Sequence, residues 1–158
     1  LCERQVLRDP MLYLSLFFKT HRHAYYDLLN RVRIEGDWEA WLDYFAEAVA
    51  VTAGQAVDTV QRLDALACQD RVRIQSLRRA AGSALRVHHE LLRRPVVTSR
   101  TLEKQTGLSH VTVNQTLDHL CRLGLTKEIT GHKRNRVFSY SAYLAILNEG
   151  TEPLGSTP

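Results

Sequence analysis

The sequence predicts a mainly α protein, with a helical bundle over its first half and, at its C-terminal end, a helix-turn-helix unit carrying a small β-hairpin. Three observations lead there. Apolar residues recur every three or four positions from Trp38 to Ala67, the spacing of one continuous helical face. Two shorter helix-forming stretches, ending near Thr106 and Leu123, are joined through Gly107. Finally, Thr126–Thr130 and Arg136–Tyr140 read as strands flanking the polar turn Gly131-His132-Lys133-Arg134-Asn135.

Taken in order, Leu1 to Leu7 reads as helix and stops at Asp9-Pro10, because proline lacks the backbone donor and pushes its predecessor out of the helical region. The chain opens with Leu1 rather than Met inside that helix, which is expected of a piece of a longer protein. Met11 to Phe18 is too short to classify by periodicity, and helix is expected from its surroundings. His23 to Arg33 is a short helix with Tyr26, Leu29 and Val32 inward, closed by Gly36. Asp37 is an N-cap, and Glu39 complements the dipole of the next helix. The inward row of that helix is Trp38, Trp41, Leu42, Phe45, Val49, Ala53, Ala56, Val60, Leu63 and Ala67. Its simplest role is core packing against other helices.

Arg71 to Arg94 is helix-forming with an interruption expected at Gly82-Ser83, and Leu85, His88, His89 and Leu92 are expected inward before Pro95 ends it. Val97-Thr98 is a minimal extended piece, and Thr98 or Ser99 caps a helix anchored by Leu102. Gly107 takes the helix end, Leu108 plugs the corner, and Ser109 caps the following helix. The expected organisation is therefore a helical segment over 1–79, a connecting helix over 80–94, the small unit over 95–149 and a flexible tail over 150–158.

Composition narrows the function classes. Of 158 residues, 44% are apolar and 24% charged, which suits a folded protein rather than a disordered one. No run approaches the roughly 18 apolar residues of a membrane span, and the first residues lack a signal pattern, so a cytoplasmic protein without a membrane partner is expected. Cys2, Cys68 and Cys121 are too far apart for a disulfide framework or a zinc site, and read as reduced and mostly buried. Residues 1–79 hold 11 Lys or Arg against 11 acids, whereas Pro95 to Tyr143 holds 7 against 3. That local excess of cations is what phosphate neutralisation requires.

The helix from Ser109 to Leu123 carries the functional signal. Val113, Leu117 and Leu120 share one face, while His110, Thr112, Asn114, Gln115 and Asp118 share the other. Amide side chains pair with adenine through two hydrogen bonds, Thr offers a methyl or hydroxyl, and His donates to guanine or phosphate. His110, Thr112, Asn114 and Gln115 are thus the candidate base contacts in double-stranded DNA, near the helix start where base edges are reached first. Ser99, Arg100, Thr101, Lys133, Arg134 and Arg136 are the candidate phosphate or hairpin-tip contacts. The histidine pairs His21/His23 and His88/His89, and His119 near Cys121, lack ligand spacing, so no metal site is expected. Neither a Gly-rich phosphate loop nor a nucleophile elbow is present.

The run Thr101-Leu-Glu-Lys-Gln-Thr-Gly-Leu-Ser-His-Val-Thr-Val-Asn-Gln-Thr-Leu-Asp-His-Leu-Cys-Arg-Leu-Gly-Leu125 resembles the winged helix-turn-helix family of bacterial regulators, over about a third of the chain. The resemblance implies a DNA-binding module, transcriptional regulation and a homodimer whose reading helices enter successive major grooves. A winged helix used only for protein contacts would instead show an apolar strip on the early turns of the helix at Ser109, where Val111 alone is expected to be exposed.

Upstream, Pro10-Met-Leu-Tyr-Leu-Ser15 with Phe17-Phe18, then His21-Arg22 leading to Tyr25-Tyr26-Asp-Leu-Leu29, and Gly36-Asp-Trp-Glu-Ala-Trp-Leu42 resemble the part of a Fic-family AMP-transferase that follows its catalytic loop. The family's loop, a histidine with Pro-Phe and then an acidic Gly-Asn-Gly-Arg phosphate cradle, is missing, as is its inhibitory glutamate motif. The resemblance therefore implies no catalysis and no cofactor for this chain itself. It further implies a parent protein that uses ATP and Mg to transfer AMP to a hydroxyl side chain, with this part serving target recognition or dimerisation.

Overall fold

A computed structural model describes residues 13–132 and 136–149. The expectations for Leu1–Leu7, Cys2, Asp9-Pro10, Lys133, Arg134, Asn135 and the tail after Glu149 lie outside those residues. The architecture is mainly helical with one small antiparallel sheet. In chain order it runs α1 Leu14–Thr20, α2 Arg22–Glu35, α3 Trp38–Gln75, a 3-10 turn Arg78–Ala80, α4 Ala81–Arg93, β1 Val96–Thr98, α5 Ser99–Thr106, α6 His110–Arg122, β2 Lys127–Glu128, β3 Val137–Ser139 and α7 Ser141–Asn148. None of the described helices is long and apolar enough to cross a membrane. The chain divides into two compact units, one up to Gln61 and one over Arg62–Glu149, with α3 contributing to both.

In the first unit, Asp37 caps α3 as its position suggests. Its Oδ1 accepts from the Ala40 backbone N–H at 3.1 Å, and its other oxygen pairs with Arg31. Gly36 closes α2 in the left-handed region, at φ 72°. The inward face of α2 keeps Val32 as expected but differs by one residue at its other two positions: Tyr25 and Leu28 are half-buried, whereas Tyr26 and Leu29 are exposed. Tyr25 is drawn in because its ring lies 5.1 Å from Phe18 and 5.6 Å from Trp41. The row on α3 holds in part: Trp41, Val49, Ala53, Ala56, Leu63 and Ala67 are half-buried or buried and Tyr44, Ala48 and Thr52 join them, while Trp38 and Leu42 are each 60% exposed and Phe45 and Val60 are exposed as well. Tyr44 stacks near Phe17 and Phe18, and the small Ala48 lets the backbone sink to full burial.

The break after α3 falls at Ser76–Ala80 rather than at Gly82-Ser83, which lies inside α4. Ser76 Oγ donates to the Arg73 carbonyl at 2.7 Å, Leu77 N–H bonds the Ile74 carbonyl, and Arg78 takes a left-handed φ of 53°. A hydroxyl competing for a helix carbonyl thus ends α3 where a glycine does not. Cys68, expected to be buried, is exposed and Cys121 is half-buried; both are free thiols. On α4, Ala84, Val87, His88 and Leu91 are buried, Leu85 and Leu92 half-buried and His89 exposed, because neighbouring positions on a helix point about 100° apart.

The second unit holds the core. Fully buried side chains come from α3 (Ile74), α4 (Val87, Leu91), α5 (Leu102), α6 (Val113, Leu117, Leu120) and the sheet (Phe138), with Tyr140 between β3 and α7. Helix α4 packs on α5 and α6, so it is part of this core as well as the lead into β1. The sheet order is β1-β3-β2, antiparallel throughout, with Val97 opposite Phe138 and Glu128 opposite Phe138 on the other side. The expected hairpin thus gains a third strand from the Val96–Thr98 piece, while its own strands shrink to two and three residues. Helix α7 has no counterpart in the sequence reading.

Candidate nucleic-acid interface

Local signals position α5 and α6. Thr98 is the N-cap of α5, its hydroxyl accepting from the Thr101 N–H at 3.2 Å, and Ser109 caps α6 by accepting from the Thr112 N–H at 3.3 Å. Between them Gly107 sits at φ 67°, a conformation that a Cβ would strain. Leu102 locks α5 to the core, and Val113, Leu117 and Leu120, all fully buried, lock α6. One edge of α6 is thereby committed to the interior.

The opposite edge is a straight row of exposed residues at i, i+4, i+7 and i+11: Val111, Gln115, Asp118 and Arg122. Val111 is 63% exposed. Gln115 makes no hydrogen bond to the described residues. Asp118 Oδ1 lies 3.4 Å from both terminal nitrogens of Arg136, whose guanidinium also stacks 4.8 Å above the Phe138 ring. Arg122 Nε donates to the Asp118 carbonyl at 3.3 Å, so two cations border the far end of the row.

His110 and Asn114 occupy the flank of α6 that faces α5, and both are already engaged. His110 Nδ1 donates to Glu103 Oε1 at 2.6 Å. Asn114 accepts from Ser99 Oγ at 2.9 Å and gives its amide protons to the His110 carbonyl and Nε2, each at 3.0 Å. These partners select the imidazole tautomer protonated at Nδ1. Thr112 is half-buried, its hydroxyl 2.9 Å from Ser109 Oγ. Of the four candidate base contacts, Gln115 is the one both exposed and unengaged, and Ser99 belongs with Asn114. Arg100 is exposed on α5, and Thr101 is half-buried with its hydroxyl 3.0 Å from that of Thr98. Lys133 and Arg134 fall outside the described residues.

The turn next to β2 is organised by an acid the sequence reading left unassigned. Glu128 Oε1 accepts from the backbone N–H groups of Thr130 and Gly131, each at 2.9 Å, and from the Thr130 hydroxyl. The Thr130 hydroxyl holds the Glu128 carboxyl below its ordinary range, helped by the two backbone donors and Arg136.

Behind α6 lies a buried polar chain. The Tyr140 hydroxyl donates to Asp70 Oδ2 at 2.6 Å, and His88 Nε2 lies 3.4 Å from the same hydroxyl. Because that hydroxyl gives its proton to Asp70, the imidazole N–H is the donor to it. Arg73 bonds Asp70 Oδ1 at 2.9 Å and also the Leu123 carbonyl at the end of α6. Burial depresses the His88 imidazole against the opposing pull of Asp70, and burial together with the Asp70 carboxylate pushes the Tyr140 phenol far up. Sequence reasoning placed His88 inward but had no signal for partners 18 and 52 residues away.

Among the described residues no three or more His, Cys, Asp or Glu side chains are grouped so that they could hold a metal ion. Cys121 Sγ lies 3.3 Å from the Thr126 hydroxyl, and the nearby His119 Nδ1 is buried without a hydrogen-bond partner. No family model matches the chain.

Proposed function

We propose that residues 95–149 form a winged helix-turn-helix that binds double-stranded DNA, with α6 entering the major groove and the β2–β3 turn lying along the backbone, and that the protein regulates transcription. The observation that carries this reading is the division of α6, sealed along Val113, Leu117 and Leu120 and open along Val111, Gln115, Asp118 and Arg122. A helix anchored on one edge and polar on the other, with cations at its border, suits a groove walled by phosphates. A protein-docking surface would want more apolar area there than Val111 provides. The protein acts as a homodimer in this reading, matching two half-sites about one helical turn apart.

Gel-shift titration of the chain against labelled duplex fragments at several salt concentrations tests the proposal. Affinity is expected to fall linearly with the logarithm of salt, and Arg136→Ala to flatten the slope by about one unit. Lys133→Ala and Arg134→Ala are expected to act likewise, and Gln115→Ala to weaken preferred duplexes more than others. Binding that ignores salt and survives all four substitutions sinks the proposal.

A further inference from the structure

We infer that Val111 is a specificity-determining residue that reads the C5-methyl of a thymine, beside an adenine read by Gln115, so that the preferred half-site contains two A·T pairs within a step or two of each other. This rests on the reading of α6 as the helix that enters the groove.

Among the described residues Val111 does not belong to the core. It is 63% exposed, in the first turn of α6, on the side opposite the buried Val113, Leu117 and Leu120. A β-branched residue there lowers helix propensity and leaves apolar surface in water, where Ala, Lys or Glu would serve the helix better. Gln115 follows one turn later on the same edge, exposed and without a hydrogen bond to the described residues. Four residues advance a helix by about 6 Å, less than two steps of roughly 3.4 Å along a duplex strand. In the major groove only thymine offers a methyl, and adenine offers the acceptor and donor that an amide matches with two hydrogen bonds.

The neighbours narrow the assignment. Asn114, the other amide, is tied to Ser99 and His110 and holds α5 against α6, so it positions the reading edge. Charge supports duplex DNA as the occupant: at the far end of the row Arg136 faces the Asp118 carboxylate, while Arg122 bonds the Asp118 backbone carbonyl and keeps its charge uncompensated by that acid.

The test selects duplexes from a randomised library with the full chain, then resynthesises the enriched site with uracil replacing each thymine in turn. One replacement is expected to lower affinity about fourfold, the worth of a buried methyl. Val111→Ser is expected to lose the same factor on the thymine duplex and to stop distinguishing thymine from uracil, whereas Val111→Ile keeps the distinction. Gln115→Ala should relax the preference for the neighbouring adenine while thymine and uracil stay distinguished. An enriched site indifferent to every uracil, or a Val111→Ser protein that still tells the two apart, overturns the role of Val111 alone. Failure to retain any duplex overturns the DNA reading and this inference together.

Discussion

The stretch from 13 to 61 and the stretch from 62 to 149 use the same material differently. Both carry apolar residues at helical spacing. In the first, Phe18, Tyr25, Trp41 and Tyr44 lean on one another at ring separations of 5.1–6.3 Å, yet among its described residues only Ala48 and Thr52 are buried. In the second, helices and sheet close over a dozen buried apolar residues and a polar chain. Helical spacing creates a face, but burial needs elements that cover it from several directions, and among the described residues it is the second unit that has a sheet as well as packed helices to do so. A cluster of edges in water gains less from each ring than a sealed core gains from each leucine.

Truncation inside each region gives the largest separation. Leu117→Ala is expected to lower unfolding free energy by about 2–5 kcal/mol, whereas Leu42→Ala, at 60% exposure, should stay within about 0.5 kcal/mol. Urea titrations followed by circular dichroism measure both, and equal losses would erase the contrast. Next in size is the buried chain: Tyr140→Phe removes the hydroxyl that satisfies Asp70 and should cost about 1–3 kcal/mol in the same titration. A negligible cost would mean that Arg73 alone suffices for the carboxylate.

Acidity separates the regions further, because the depressed imidazole is in the second. His88 folds preferentially in its neutral form, so its contribution is fully present above the unfolded value of 6.5 and is lost as pH falls from there toward the lower folded value. Asp70, reached through Tyr140, pulls the imidazole the other way, while Arg71 and His89 reinforce the burial that outweighs it. Thermal midpoints should therefore drop on acidification through that window, and His88→Gln, which keeps a donor but does not titrate, should flatten the profile. An unchanged profile would locate the sensitivity elsewhere. The smallest effects are the caps: Thr98→Ala and Ser109→Ala should each cost about 1 kcal/mol, read from urea midpoints.

Legibility followed the range of the interactions. The glycine turn at Gly107, the caps at Asp37 and Ser109 and the buried row of α6 depend on residues within a turn or two, and they stand where the sequence reading put them. On α2 Val32 points inward as expected, but Tyr25 and Leu28 replace Tyr26 and Leu29 because Tyr25 answers to Phe18 and Trp41, which its own periodicity does not mention. Asn114 looked like a base-reading amide by type and position, yet Ser99, fifteen residues earlier, takes its oxygen. Glu128 went unassigned because a carboxylate closing its own turn has no distinctive spacing, and α7 because eight mostly apolar residues carry little helical contrast.

By itself the sequence determined the starts of α3, α5 and α6, the ends of α2 and α5 and which edge of α6 is greasy, since capping, glycine conformation and i, i+4 spacing are local properties of the chain. Tertiary structure decided which polar groups remain available. Pairing Asn114 with Ser99, joining β1 to the hairpin and threading His88, Tyr140 and Asp70 together all need segments distant in sequence to meet. A side chain's chemistry is written in its type, but whether it faces solvent or a partner is set by what folds against it.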